Sequence, residues 1–232
     1  MRLITGPAGS GKTTYILDQM RDALRSGSDA VRLLVPTATM AQHLQNLLAR
    51  EGYVFRHGLI QTLLGFVNDF VEDVPQVSEA ALYLTVEEAA RKVDRAEFER
   101  VVHMRGFCAS LAHTLAEFSS AGCDSRRLAA HLPDSPLAPA FLAVYREVDR
   151  HLAERGVALR ARRLELAAER IAAGGLGGVA TVWLDGFHAL PDPELGVIRA
   201  MAQHAEVVLV RTEAQAQAEF SGTPVMRFAK SR

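Results

Sequence analysis

The stretch "LITGPAGSGKTTYILDQM" (3–20) constrains the fold of this 232-residue chain more than any other. Arg2 to Thr5 read as a short strand, and a glycine-rich run follows at once. Ile16, Leu17, Met20, Ala23 and Leu24 then fall on one face of a helix that Gly27 should stop. Residues 6–13, "GPAGSGKT", satisfy G-x-x-x-x-G-K-[ST], the pattern of a loop that cradles nucleotide phosphates. The chemistry requires these residue types. Gly6, Gly9 and Gly11 permit torsions that turn several backbone N–H groups towards one anion, and the helix starting near Lys12 adds the positive end of its dipole. Lys12 is expected to reach the β and γ phosphates, and the Thr13 hydroxyl to ligate Mg²⁺. Ser10 and Thr14 complete the expected phosphate-binding set, so ATP and Mg²⁺ are the expected cofactors.

The remaining periodicity predicts a sheet that is interrupted and then resumed. "VRLLVP" (31–36) is a continuous apolar run ended by proline, as in a buried parallel strand. Thr39 and Gln42 have capping-box spacing and should open a helix through about Arg50. "GLIQTLLGF" (58–66) suggests a strand and a short helix, which completes β-α-β-α-β, a doubly wound pattern. From about Ser78 to Ala173 the periodicity is helical. Met104, Phe107, Leu111, Leu115 and Phe118 share one face, Phe141, Val144, Tyr145, Val148 and Leu152 another, and Gly122 and Gly156 fall at expected helix ends. After the hinge-like "GGLGG" (174–178), "VATVWLDGF" (179–187) returns to a buried strand, followed by a helix from about Pro193 and a strand "EVVLV" (206–210). The expected division is therefore 1–76 and 177–232 for an α/β unit, with 77–176 as a helical insertion.

A phosphate loop of this kind needs a carboxylate at the end of a neighbouring strand to hold the metal through water. "TVWLDGF" supplies Asp185 directly after an apolar strand, and Lys12 and Asp185 are the candidate catalytic residues. Motors commonly place a glutamate next, to polarise the attacking water, whereas this chain has Gly186; Asp192 and Glu194 are the nearest substitutes. The pattern thus predicts nucleotide binding more firmly than fast hydrolysis.

Composition narrows the class. A net charge of −1 is unlike a strongly basic nucleic-acid module, although it leaves room for a local basic face such as Arg160, Arg162 and Arg163. The lysines are Lys12, Lys92 and Lys230 alone, so Lys12 does not sit in the loop as one of many. There is no run of about 18 apolar residues, which gives no expectation of a membrane span. The loop motif begins too early to leave room for a signal peptide, and Cys108 and Cys123 have neither CxxC spacing nor disulfide-framework density; a cytoplasmic, reduced protein is expected.

Taken together, the phosphate loop, "LLVPTATMAQHLQNLL", "IQTLLGF", a helical block and a strand-borne aspartate resemble the N-terminal half-core of superfamily 1 (UvrD-like) helicases. That resemblance implies a RecA-like parallel sheet flanked by helices and interrupted by an all-helical subdomain. It also implies contacts to single-stranded DNA at Thr37, Thr62 and Phe66. The closer resemblance is to the AddB/RexB-type subunit of bacterial helicase–nucleases. Those proteins begin almost on the phosphate loop, without the upstream adenine-reading glutamine segment of true motors. They carry "DGF" where motors carry an Asp-Glu pair, as Asp185, Gly186 and Phe187 do here, and "GFCASLAHTLAEFSSAGCDSRRL" (106–128) is similar to their helical segment. The resemblance implies a role in double-strand break repair and recombination, DNA as a ligand and an AddA-like motor partner. It also implies a second RecA-like lobe and a nuclease domain, so residues 1–232 are expected to be an N-terminal portion with weak or no hydrolysis alone. Two other readings stay open at this stage. One is a nucleoside or nucleotide kinase, with Asp185 serving the metal or acting as base. The other is a non-catalytic ATP-binding scaffold for a motor, which Gly186 favours.

Overall fold

The computed structural model describes residues 1–212 and 223–228; residues 213–222 and 229–232, which belong to the segment expected at 177–232 and include Lys230, lie outside the described residues. The strands are β1 (Arg2–Thr5), β2 (Val31–Val35), β3 (Ile60–Thr62), β4 (Thr181–Leu184), β5 (Glu206–Arg211) and β6 (Val225–Arg227). They form one sheet in the order β3-β2-β4-β5-β1-β6, with every pair parallel. This is the expected RecA-like α/β fold. The helices are α1 (Lys12–Arg25), α2 (Ala38–Arg50), α3 (Leu63–Asn68), α4 (Glu79–Val93), α5 (Arg105–Ser120), α6 (Ser125–Ala130), α7 (Ala138–Glu154), α8 (Arg160–Gly174) and α9 (Asp192–Met201).

Two compact units emerge: 1–70 with 167–190 and 194–232, and 71–166 with 191–193. The boundary falls inside α8, a few residues before the glycine run to which the sequence pattern points. In the first unit, parallel strands must be covered on both faces, and α1 and α2 supply one cover. Ile16, Leu17 and Met20 of α1 and Ala41, Leu44 and Leu48 of α2 are buried with Ile4, Leu33, Trp183, Val208 and Val210 of the sheet. Each large side chain buried in this way stabilises the fold by roughly 1.5–3 kcal/mol. Gly27, at φ 73°, turns the chain after α1 as expected.

Helix α2 corrects one expectation. Its N-cap is Thr37, whose hydroxyl accepts from the Met40 N–H, and Thr39 sits inside the first turn. Thr37 is the residue left extended (φ −131°, ψ 149°) as the chain leaves β2 and Pro36, the backbone conformation typical of a side-chain N-cap.

In the second unit, α4, α5, α6 and α7 enclose a core of Leu82, Val86, Leu111, Leu115, Leu128, Val144, Tyr145, Val148 and Leu152. Burial pushes the Tyr145 phenol well above its ordinary pKa, and its hydroxyl donates to the Cys123 carbonyl at 2.9 Å. Gly122 (φ 78°) and Gly156 (φ 66°) follow α5 and α7 as the sequence suggests. Met104 departs from the expected apolar face: it is the N-cap of α5 and 55% exposed. The arginines at 160–163 are not one solvent-facing basic strip. Arg163 is buried and donates from Nε to the Val74 carbonyl (2.7 Å) and from Nη2 to that of Val71 (3.3 Å). Arg162 pairs with Glu165. Among the described residues, no helix is long and apolar enough to cross a membrane.

Candidate nucleotide site

Parallel strands put all their C-terminal ends on one edge of a sheet, and that edge is where open α/β proteins bind ligands. The loop 6–11 leaves β1 on this edge and Asp185 follows β4 on the same edge. Strand β5 lies between them, a separation of roughly 10 Å at two strand spacings. Side chains close that gap, and the Thr13 hydroxyl donates to Asp185 Oδ2 at 2.6 Å. Asp185 is 4% exposed, and its backbone N–H donates to the Leu34 carbonyl of β2 at 3.1 Å, so its direction is set from the neighbouring strand.

The loop has the backbone that the motif requires, with Gly9 at φ 75° and Gly11 at φ 85°. Gly11 is also the N-cap of α1 and brings no side chain, and Lys12-Thr13-Thr14-Tyr15 puts no acid in the first turn. The free N–H groups of that turn are therefore left to an anion. Lys12 folds across the loop, its Nζ donating to the carbonyls of Gly6 (2.8 Å) and Pro7 (2.7 Å) and to Ser10 Oγ (3.3 Å). Thr14 is exposed beside them. The Thr13 hydroxyl and the Asp185 carboxylate are hard oxygen donors, the kind Mg²⁺ prefers.

The position after Asp185 is crowded. Gly186 has φ 83°, and a Cβ there would stand 3.0 Å from Met40 Sδ, 3.1 Å from Met40 Cε and 3.3 Å from Pro36 Cδ. A side chain here is strained by the left-handed torsion and requires the Met40 thioether to give way, so the position disfavours a motor-type glutamate. Of the two acids that follow in sequence, Asp192 is exposed and pairs with Arg127 at 2.8 Å, and Glu194 is buried in α9. One residue that sequence reasoning missed is Arg211, which ends β5 between the two site strands. It is 2% exposed and donates from Nη1 to the Phe187 carbonyl at 2.8 Å, tying down the turn after Asp185. A charged residue closing the apolar run "EVVLV" was its only signal in the sequence.

The residues expected to meet DNA are placed differently from one another. Thr37 is exposed while capping α2. Thr62 caps α3, accepting from the Gly65 N–H at 3.0 Å. Phe66 is 3% exposed and packs its ring on Phe70, centroids 5.3 Å apart, so its apolar face serves the core. Among the described residues, no three or more His, Cys, Asp or Glu are grouped to hold a metal.

The profile of the family described as "ADDB, N-terminal" matches residues 80–224. The chain belongs to the AddB N-terminal family. It is similar to an ATP-dependent helicase/deoxyribonuclease subunit of Moorella thermoacetica, at 29% identity over 90% of this chain. A subunit of the same name from Desulforamulus reducens is 26% identical over 90% of the chain. The chain spans 20% of the length of each of these relatives. This membership agrees with the AddB-type resemblance.

Proposed function

We propose that this chain is the ATP-binding, helicase-like part of a subunit of a DNA helicase–nuclease that acts in double-strand break repair and recombination beside an AddA-like motor. The observation that carries the reading is the Thr13–Asp185 hydrogen bond at the sheet edge, directly beside the glycine loop. Gly6, Gly9, Ser10, Gly11, Lys12, Thr13 and Thr14 hold the phosphates, and Lys12 exchanges its bonds to the Gly6 and Pro7 carbonyls for phosphate oxygens. Thr13 and Asp185 contribute to the Mg²⁺ shell. Because the two provide a single carboxylate, the metal is held only together with the nucleotide. When bound, Mg²⁺ neutralises charge on the phosphates.

Hydrolysis by the chain alone is slow or absent, since Gly186, packed against Met40 and Pro36, stands where a motor has its glutamate. That packing also supports a second reading, in which bound ATP holds a DNA-inspecting scaffold in shape and is not turned over. Single-stranded DNA binds weakly and is lost steeply with salt, as phosphate contacts are.

The test is Lys12→Ala. Calorimetric titration should show Mg-ATP binding by the wild-type chain and none by the variant, while thermal unfolding stays that of a folded protein. Equal affinity in the two would remove the basis of the proposal.

A further inference from the structure

The phosphate loop has an aromatic neighbour that phosphate binding does not require. Tyr15 in the first turn of α1 and Phe228, the residue after β6, stand with ring centroids 5.5 Å apart and planes at 62°. Both rings are half-buried against the core around Ile16 and Ile4, which leaves part of each at the surface. Phe228 is bound to the root of the loop by its backbone, its N–H donating to the Thr5 carbonyl at 2.7 Å. It also lies so close to the first loop residue that a Cβ on Gly6 would come within 2.5 Å of the Phe228 carbonyl oxygen and 3.0 Å of its Cβ. Gly6 is therefore glycine as much to admit Phe228 as to shape the loop.

The sheet order gives the site a direction. The metal-binding pair Thr13 and Asp185 marks the side towards β4, whereas β6 flanks β1 on the opposite side. A phosphate chain with its metal end at Thr13 and Asp185 has its other end, which carries the sugar and base, directed away from β4. The first structure in that direction is the end of β6, where Phe228 meets Tyr15. We infer that Tyr15 and Phe228 form the surface on which the base of a nucleoside triphosphate rests. This inference depends on the phosphate-loop reading above and adds the ligand's second recognition element. Stacking uses the flat face that every base has, so adenine and guanine nucleotides should both be accepted.

The test compares Mg-ATP with Mg-tripolyphosphate, which offers the phosphates without a base, by calorimetric titration of the 232-residue chain. Wild type should bind ATP about tenfold more tightly than tripolyphosphate, and Phe228→Leu and Tyr15→Leu, which keep apolar bulk but lose the ring, should each weaken ATP about tenfold and leave tripolyphosphate unchanged. The wild-type comparison stands even if a variant fails to fold. Equal wild-type affinity for the two ligands overturns the base surface and leaves the phosphate loop intact. Leucine variants that weaken both ligands alike also overturn it, because the rings would then only shape the loop. Failure of wild type to bind either ligand overturns the phosphate-loop reading, and this inference with it.

Discussion

Placing a glutamate at position 186 tests whether the departure from motor enzymes is a lost side chain or a rebuilt turn. Gly186 has φ 83°, and a residue with a Cβ held in the left-handed region costs about 1–2 kcal/mol. A built Cβ meets Met40 Sδ at 3.0 Å and Pro36 Cδ at 3.3 Å, and crowding of this kind in a packed site costs typically about 1–3 kcal/mol. Gly186→Ala should therefore destabilise the sheet unit by about 2–5 kcal/mol, and Gly186→Glu by at least as much. The two contributions can be separated. Met40→Ala removes the nearest atoms, so in that background the cost of Gly186→Ala should shrink by about 1 kcal/mol or more, while the torsional part remains. Urea unfolding of the four proteins, read by Trp183 in β4, gives the cycle. ATPase assays of Gly186→Glu give the functional half, and the expected rate is no higher than wild type. Brisk hydrolysis by Gly186→Glu, or a cost for Gly186→Ala within about 0.5 kcal/mol of zero, would refute the reasoning.

Three further outcomes follow from side chains whose roles the fold assigns. Phe66→Ala should cost about 3–5 kcal/mol of stability, as for a large aromatic deleted from a core, and chemical denaturation would show it; a variant as stable as wild type would return Phe66 to the surface. Arg163→Met leaves the carbonyls of Val71 and Val74 without their guanidinium donor and should destabilise the helical unit by about 1–3 kcal/mol, whereas Arg162→Met, at a surface pair, should be near neutral. The helical unit should also weaken in acid. Hydrogen bonds from Arg150 and then Lys92 hold the Glu147 carboxyl down at about 2, from an ordinary 4.5. A carboxyl with a depressed folded-state pKa contributes stability above about 4.5 that is lost as pH falls towards about 2, so Glu147→Gln should flatten the unfolding free energy over that window. A profile of unchanged slope would rule this out.

Much of the fold was legible because its signals are local. Apolar runs such as Leu33 to Val35 and Val182 to Leu184 can be buried only as strands covered on both faces, and each is followed by a turn residue. The shape of the glycine loop was legible for the same reason, since its glycine torsions are specified within a few successive residues. Thr39 and Thr37 show where this fails. Both are plausible caps two positions apart, and the exit direction of β2 chooses between them. Met104 fails in a similar way, because periodicity assigns a face without saying whether anything covers it. β6 was not anticipated at all: its three residues carry no buried apolar run, and they are a strand because β1 offers an edge.

By itself, then, the sequence determined the strands, the helical block between them, the glycine loop and the acid after β4, all of them set by neighbours within a few residues. Only the tertiary structure decided which groups meet. Thr13 and Asp185 are 172 positions apart and 2.6 Å apart in space. Met40 closes over Gly186, Arg211 fastens the turn after Asp185, and Phe228 abuts Gly6 from the far end of the chain. These contacts depend on strand order, and strand order is settled by how whole faces are buried, which no short stretch of residues records.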